Sequence, residues 1–257
     1  MRNSIIGSLL DLWPRCLFDR RIRIPIRFIG KKDVLRIRTG IAEGSLWRVG
    51  SGVNDYWIGN YEEMKQAVVR SVLERGATVF DIGANAGFYT IAMSRIIGPE
   101  GHIYAFEPFC ENVDSLLFHT RINKSENCTI IQCAVAERSS ITAFTVATSN
   151  AEGSIGSKDS HYYVPTVSID DLVEAMIIPP PDLMKIDVEG AEDRVLSGSM
   201  ETLKKHDVKI LLAVHGEKRF RGCLSFLADI GYKVYDLTLN PVDGNSQYVD
   251  ELYCLRG

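Results

Sequence analysis

The sequence predicts an α/β domain of the nucleoside-binding kind, with a mostly parallel sheet, one antiparallel strand near the C-terminus and a small β-rich segment ahead of it. Three observations predict it. Residues 79–87, Val-Phe-Asp-Ile-Gly-Ala-Asn-Ala-Gly, are an apolar run that ends in Asp81 and breaks into a loop carrying Gly83 and Gly87, with a helical pattern from Phe88 to Ile97. A strand, a glycine turn and a helix N-terminus together bring backbone amides toward a ligand. About twenty residues on, the run His102–Phe106 ends in Glu107, where a carboxylate can accept hydrogen bonds from ribose hydroxyls. From Thr78 onward, strand patterns alternate with helical ones, as crossover connections in a parallel sheet require.

Taken in order, residues 1–20 read as a short amphipathic helix ending near Pro14. Arg21–Phe28 and Val34–Arg38 alternate apolar and charged residues, the pattern of half-exposed strands, with Gly30-Lys-Lys-Asp33 as the turn between them. Leu46–Val49 adds a strand, and a helix runs from Glu63 to Glu74 until Gly76 stops it. The main sheet is expected at 78–81, 102–106, 128–134, 183–187 and 208–214, with helices near 87–97, 109–122, 168–176, 190–204 and 217–230. Strands at 232–237 and 248–255 close the chain, the second returning antiparallel after the turn Asn240-Pro-Val-Asp-Gly-Asn245. Residues 139–167, rich in Ser, Thr and Gly, hold an extra strand around Phe144–Ala147 before a loop. The domain reading is a basic appendage over 1–55 and a cofactor-binding domain over 56–257.

Composition narrows the class. An apolar content of 46% over 257 residues supports a real core. No uncharged apolar run approaches the roughly 20 residues of a membrane span. The run Ser4–Leu10 is cut off by Asp11, Pro14 and Arg15, which argues against a secretory signal. Six scattered cysteines without a Cys-x-x-Cys suit reduced thiols in a cytoplasmic protein better than a disulfide frame or a zinc site. The net charge of −4 divides unevenly: residues 1–38 carry ten Lys/Arg against Asp11, Asp19 and Asp33, so they are +7 and the rest is −11. That segment suits a phosphate-bearing acceptor or an anionic membrane surface, or else it is a solvated hairpin face. Nucleic acid is not indicated, because the main domain is acidic and shows no basic-aromatic stripe.

A dinucleotide loop needs Gly-x-Gly-x-x-Gly to cradle a pyrophosphate. Here the spacing is Gly83-x-x-x-Gly87, and Asp81 would repel a phosphate while helping to hold a zwitterionic methionyl group. This favours S-adenosylmethionine over NAD. A second signal lies in Pro179–Gly190, where Lys185, Asp187 and Glu189 interrupt a strand that should be apolar. Buried charges are costly unless paired or functional. The structural alternative is a Lys185–Asp187 pair with Glu189 opening a helix. The next strand, Lys209–Val214, ends in His215, where open α/β sheets bind ligands.

Gly59-Asn-Tyr-Glu62, Phe80-Asp-Ile-Gly-Ala-Asn-Ala-Gly-Phe-Tyr89, Tyr104-Ala-Phe-Glu-Pro108, Lys185-Ile-Asp-Val-Glu-Gly-Ala-Glu192 and Val214-His-Gly216 resemble the FkbM-type S-adenosylmethionine-dependent methyltransferases over roughly residues 55–257. The resemblance implies a Rossmann-like class I methyltransferase sheet and methylation of hydroxyl groups on sugars, glycans or natural products. The chain departs from the pattern at Ala213, where the resemblance implies an acid two residues before the histidine. For the cofactor, Asp81, Gly83, Asn85 and Gly87 are expected around the methionyl group and Glu107 on the ribose. Ala134, in Cys133–Val135, is expected near the adenine, and Glu62 either closes the far side or caps a surface helix. For catalysis, His215 is the candidate base near its ordinary pKa of about 6.5. Asp187 is the second base or an orienter, and Lys185 either acidifies the acceptor hydroxyl or pairs with Asp187. Asp187, Glu189 and His215 also offer ligands for Mg²⁺ or Mn²⁺, but no spacing demands a metal and none is expected. Two other classes stay in view. A nicotinamide-dependent oxidoreductase or epimerase needs Gly-x-Gly-x-x-Gly and Tyr-x-x-x-Lys, and the chain has neither. A non-catalytic nucleoside-binding protein would not need charges at the ends of two adjacent strands.

Overall fold

The structure, a computed structural model, describes residues 33–53, 55–146, 153–155 and 162–257. The helix expected over 1–20, the strand Arg21–Phe28 and most of the basic segment lie outside the described residues. The elements in chain order are β1 (Val34–Arg36), β2 (Leu46–Arg48), α1 (Asp55–Ile58), α2 (Glu63–Val72), β3 (Thr78–Ile82), α3 (Phe88–Ile97), β4 (His102–Phe106) and α4 (Cys110–Ile122). Then come β5 (Cys128–Ile131), β6 (Ala134–Val135), β7 (Ser140–Val146), β8 (Gly153–Ile155), β9 (Tyr162–Val167), α5 (Ile169–Glu174) and β10 (Leu183–Ile186). The chain closes with α6 (Glu192–Ser197), α7 (Met200–Lys205), β11 (Lys209–Ala213), α8 (Glu217–Asp229), β12 (Tyr232–Asp236), β13 (Pro241–Val242) and β14 (Glu251–Arg256).

The main sheet has the order β13-β12-β14-β11-β10-β3-β4-β5. The five strands from β11 to β5 are mutually parallel, and β14 inserts antiparallel between β11 and β12. The short β13 is a second antiparallel strand beyond the one expected. Side-chain alternation sorts the sheet into two cores. Val79, Leu183, Leu211 and Tyr253 pack on one face with Trp47, Val69 and Ile91. Phe80, Ile82, Met184, Ile186 and Leu212 pack on the other with Phe220 and Leu227. The chain runs outward from β3 through β4 and β5, then returns to place β10 on the other side of β3. The switch point between β3 and β10 is where an open sheet leaves a crevice at its strand ends.

Three expectations change. The strand expected over 128–134 divides, because the Cys133 amide donates back to Ile131 O (2.9 Å) and β6 leaves the main sheet. It joins a four-stranded sheet of order β6-β9-β7-β8 that uses the 139–167 region far more fully than one extra strand. The helix expected over 190–204 breaks into α6 and α7 at Gly198. A Cβ there would sit 2.1 Å from Ala136 O, and the Gly198 carbonyl accepts from Asp170 N (2.9 Å) and Ser168 Oγ (3.0 Å) rather than continuing a helix.

Residues 34–53 pack on the first core through Ile37, Ile41 and Trp47. Trp47 stacks on His119 of α4 at 3.7 Å and 9° between ring planes. Arg48 N donates to His119 Nε2 (3.0 Å), so the ring proton is on Nδ1 and is given to Ala86 O (2.8 Å). Burial is the main reason that the His119 pKa falls to about 4. Above about pH 6.5 the ring is neutral in both states; below it only the unfolded chain takes the proton until about pH 4. The stability of the protein relative to His119→Phe should therefore be greatest above pH 6.5 and shrink by roughly 2–3 kcal/mol toward pH 4. Urea unfolding of both proteins across that range checks it; a pH-independent difference would put the proton elsewhere.

Candidate active site

A cleft of about 200 Å³ opens at the C-terminal ends of β3, β4 and β10, at the switch point. Gly83, Ala84 and Asn85 form one wall, and Phe106–Phe109 and Cys133–Val135 form a second. Tyr56, Tyr61 and Tyr89 close a third side, and Lys185, Asp187, Val188 and Glu189 form the floor and rim.

The glycine loop is built differently from the expectation. Its five amides are all engaged within the chain: Gly83 N and Ala84 N on Phe106 O (3.0 Å each), Asn85 N on Glu107 Oε2 (2.8 Å), Ala86 N on Asn85 Oδ1 (2.6 Å) and Gly87 N on Ala84 O (2.9 Å). Such a loop leaves no amide cradle for a phosphate. The glycines also make room for the protein itself. A Cβ on Gly83 would lie 1.8 Å from Asp187 O, and one on Gly87 would lie 2.5 Å from the Leu116 side chain. Gly83 borders the cleft, but Gly87 is absent from its lining and serves the packing of α3 on α4. Asn85, at φ 50, does line the cleft.

Asp81, expected beside the methionyl group, does not line the cleft either. It is fully buried, with Lys185 Nζ 3.1 Å from Oδ1 and Thr90 Oγ1 donating to Oδ2 at 2.6 Å. The β3–β10 register sets Asp81 directly opposite Lys185, so the two side chains share a face. Glu107 and Ala134 do line the cleft. The Glu107 carboxylate is 5% exposed and accepts from Asn85 N (2.8 Å), Phe109 N (2.9 Å) and Asn112 Nδ2 (3.3 Å). Burial raises its pKa, and the two amides oppose the rise. A carboxylate offers about four acceptor directions, so one on Oε2 remains for a ligand hydroxyl.

Beneath the cleft lies a buried charge network that the sequence reading only partly saw. Lys65 of α2 is 2% exposed. Its Nζ meets Glu251 Oε1 (2.5 Å), Glu62 Oε2 (2.9 Å) and Asp187 Oδ2 (3.6 Å). Lys185 Nζ donates to Gly83 O (3.0 Å) and lies 3.9 Å from Asp187 Oδ2. Tyr89 OH donates to Glu62 Oε2 (2.9 Å), and both ammonium groups lie 5.6 Å from the Tyr89 ring centre. Glu62 thus serves Lys65 and Tyr89 and is not among the cleft-lining residues. Burial opposes the charge on Lys65, Lys185 and Asp187, but their opposite partners outweigh it, raising both lysines and lowering the aspartate. Burial pushes Glu251 up to about 7 against the pull of Lys65. Ala213, where the resemblance implied an acid, pairs across β11 and β14 with Glu251.

His215 stands beside this floor, behind Glu189, and like Asp81 and Glu62 is not among the residues that line the cleft. Its Nδ1 is 2.8 Å from Glu192 Oε1 and its Nε2 is 3.3 Å from Glu189 Oε2. The bond to Glu192 is the main cause that lifts the His215 pKa to about 9, well above the ordinary value expected from sequence. Burial opposes the rise, and Glu189, Glu192 and Asp187 add to it. Ligand-type atoms of Asp187, Glu189 and His215 fall within 4.8 Å of one another. Lys65 and Lys185 Nζ lie 3.6 and 3.9 Å from Asp187 Oδ2, and both are shared with other carboxylates.

Lys65, Glu192 and Glu251 were missed. Lys65 had a legible signal: it shares a helix face with Val68 and Val69, three and four residues on, so a lysine was being buried. Glu192 lay inside the quoted motif without a role. Glu251 gave no sign, because its partner Lys65 is distant in sequence.

Gly83→Ala should destabilise the protein by about 2–4 kcal/mol with no ligand present, from the added Cβ against Asp187 O and the left-handed backbone. Thermal unfolding of the ligand-free protein measures it. An unchanged midpoint with lost ligand binding would show that the glycine clears space for a ligand instead.

The methyltransferase FkbM domain model matches residues 81–234, more than half of the chain. A curated relative, hexuronic acid methyltransferase AglP of Haloferax volcanii, is 24% identical over 198 residues, covering 72% of this chain and 80% of its own. Among solved structures, the methyltransferase FkbM of Methylobacillus flagellatus superposes with a TM-score of 0.51 at 16% identity. That likeness covers 80% of this chain, which spans 56% of the larger protein, and it speaks for the fold alone. With the matched model running from the end of β3 to β12, through the glycine loop, Glu107, the β10 motif and His215, the chain belongs to the FkbM methyltransferase family.

Proposed function

We propose that the protein moves a methyl group from S-adenosylmethionine to a hydroxyl of a sugar, on a glycan or a natural product, with uronic acids the first acceptors to test. The observation that carries this reading is His215, held on Nδ1 by Glu192 and turned with Nε2 toward Glu189 at the cleft rim. The hexuronic acid methyltransferase AglP supports the acceptor class.

The residues fit the nucleoside part of the cofactor. Glu107 is fixed by two amides and keeps an acceptor direction for a ribose hydroxyl. Phe106, Phe109, Ala134, Val135 and Phe144 supply an apolar wall for a base. The loop without a phosphate cradle suits a cofactor that has no phosphate and disfavours the nicotinamide alternative. S-adenosylmethionine, when bound, supplies an activated methyl group on a sulfonium.

The chain's own residues orient the acceptor and take its proton. Lys185 and Lys65 hold Asp187 ionised at the floor, where it accepts a hydrogen bond from the acceptor hydroxyl. His215 Nε2 takes the hydroxyl proton once the ring is neutral, and a positioned base contributes about 10²–10⁴-fold. The tyrosines Tyr56, Tyr61 and Tyr89 exclude water from one side.

Glu107→Gln should weaken S-adenosylmethionine binding by about 1–3 kcal/mol, through loss of a charge-assisted bond. Titration calorimetry with S-adenosylmethionine and NAD side by side tests both this and the cofactor, and binding of NAD alone would overturn the reading. For His215, deprotonation near pH 9 sets the sign: turnover should climb with pH and level off above about 9. His215→Ala should lower kcat at least 10²-fold and flatten the rise, with cofactor affinity within about threefold. A mild His215→Ala beside an inactive Asp187→Asn would move the base to Asp187. Activity lost on chelation and restored by Mn²⁺ would replace the proton-acceptor role with a metal one.

A further inference from the structure

We infer that Glu192 is a positioning residue for the methyl-transfer reaction: its buried carboxylate fixes the tautomer and ring direction of His215 and ties that ring to the loop carrying Asp187 and Glu189. The inference rests on His215 as the proton acceptor proposed above.

Glu192 opens α6 and is fully buried. One oxygen, Oε1, accepts both the His215 Nδ1 proton (2.8 Å) and Gly190 N (2.8 Å). The first donor belongs to the end of β11, the second to the turn after β10. That turn is held in an unusual shape, with Glu189 at φ 52 and Gly190 at φ 100. The ladder between β10 and β11 sets the spacing of the strands, and this single oxygen bridges the His215 ring to the turn that follows β10. A buried carboxylate without a cation or donors would be strongly unfavourable, and the two donors relieve that cost. Its other oxygen, Oε2, has no hydrogen-bond partner among the described residues, and Arg219 Nε is 3.9 Å away.

The backbone around His215 is held independently. Tyr248 OH donates to Val214 O (2.7 Å) and accepts from Gly216 N (3.2 Å), and Arg219 Nη1 donates to His215 O (3.2 Å). What these contacts leave undetermined is the imidazole: its rotation and which nitrogen carries the proton. The charged and titratable groups facing it are Asp187 and Glu189 from the β10 turn, Glu192 from α6, Arg219 from α8 and Tyr248. Of these, Glu192 alone is bonded to Nδ1 among the described residues. Donation from Nδ1 leaves Nε2 with the lone pair, on the side of Glu189 and Asp187. When an acceptor hydroxyl loses its O–H bond, the new N–H bond forms at Nε2, and the positive ring stays paired with the unchanged Glu192 carboxylate.

The test uses ¹H–¹⁵N long-range NMR of the imidazoles in the ligand-free full chain at about pH 10, where the ring is neutral. His215 should show the Nδ1–H tautomer with a slowly exchanging Nδ1 proton. In Glu192→Leu it should turn to the Nε2–H form, and in Glu192→Gln, which still offers an oxygen to both donors, it should keep Nδ1–H. In methyl transfer to p-nitrophenyl glucuronide, Glu192→Leu should lose about 10–100-fold in kcat with the S-adenosylmethionine KM within about threefold, and Glu192→Gln should recover most of it. On a His215→Ala background, Glu192→Leu should cost far less than in the unaltered protein, since only the bond to Gly190 N is then left to lose. An Nε2–H tautomer in the unaltered protein overturns the inference even if no variant folds, and so does a retained Nδ1–H form in folded Glu192→Leu. A His215→Ala protein with full kcat, beside the expected tautomer switch, would sink the proton-acceptor role while leaving the tautomer control by Glu192 intact.

Discussion

The ion pair between Lys185 and Asp81 is the contact on which the site depends. The two residues face each other across β10 and β3, 3.1 Å apart and away from water. Two charges in a low-dielectric interior are tolerable only together, and removing one costs about 3–5 kcal/mol because the other is left behind. Lys185 also donates to Gly83 O and lies near Asp187, so one ammonium group fixes the mouth of the glycine loop and the carboxylate at the cleft floor. Asp81 is thereby tied to the cleft through Lys185.

The glycine loop shows the same economy of contacts. Its amides close on Phe106 O, Glu107 and the loop itself, and the missing side chains at 83 and 87 admit Asp187 O and Leu116. His119 braces the loop from behind by taking Ala86 O, while Arg48 N and Trp47 brace His119. The early strand β2 therefore reaches the glycine loop through a neutral imidazole, and Trp47 also packs on Tyr56 and Phe88 of the cleft lining. Every loop amide is engaged within the chain, and the cleft lining offers the Glu107 carboxylate and an apolar wall beside it.

The floor is assembled from four separate stretches of chain. Glu62 and Lys65 come from the start of α2, Tyr89 from α3, Asp187 from the end of β10, and Glu251 from the start of β14. The antiparallel insertion of β14 beside β11 sets Glu251 next to Ala213, on the face where the family pattern implies an acid. A carboxylate on one side of a strand pair can be supplied by either strand, since directly opposed residues share a face. Here β14 supplies the carboxylate that meets Lys65, and position 213 is small.

The sequence by itself determined the strand–loop–helix at 79–97, the acid after β4, the charged strand at 183–187 and the parallel order they imply. Each of these is a local pattern: a hydrophobic period, a glycine pair, or a charge where only apolar residues should stand. Even Lys65 was legible as a charged residue on an apolar helix face. Only the tertiary structure decided which charges pair. The register of β3 on β10 turned Asp81 from a ligand contact into the partner of Lys185, and the proximity of Glu192 moved His215 from near pH 6.5 to about 9. The splitting of 128–134 and 190–204 likewise depended on contacts with β9 and with Ala136. Side-chain pairing and proton affinity depend on atoms within about 4–6 Å in space, and for residues as far apart in sequence as Lys65 and Glu251, nothing short of the folded chain establishes that distance.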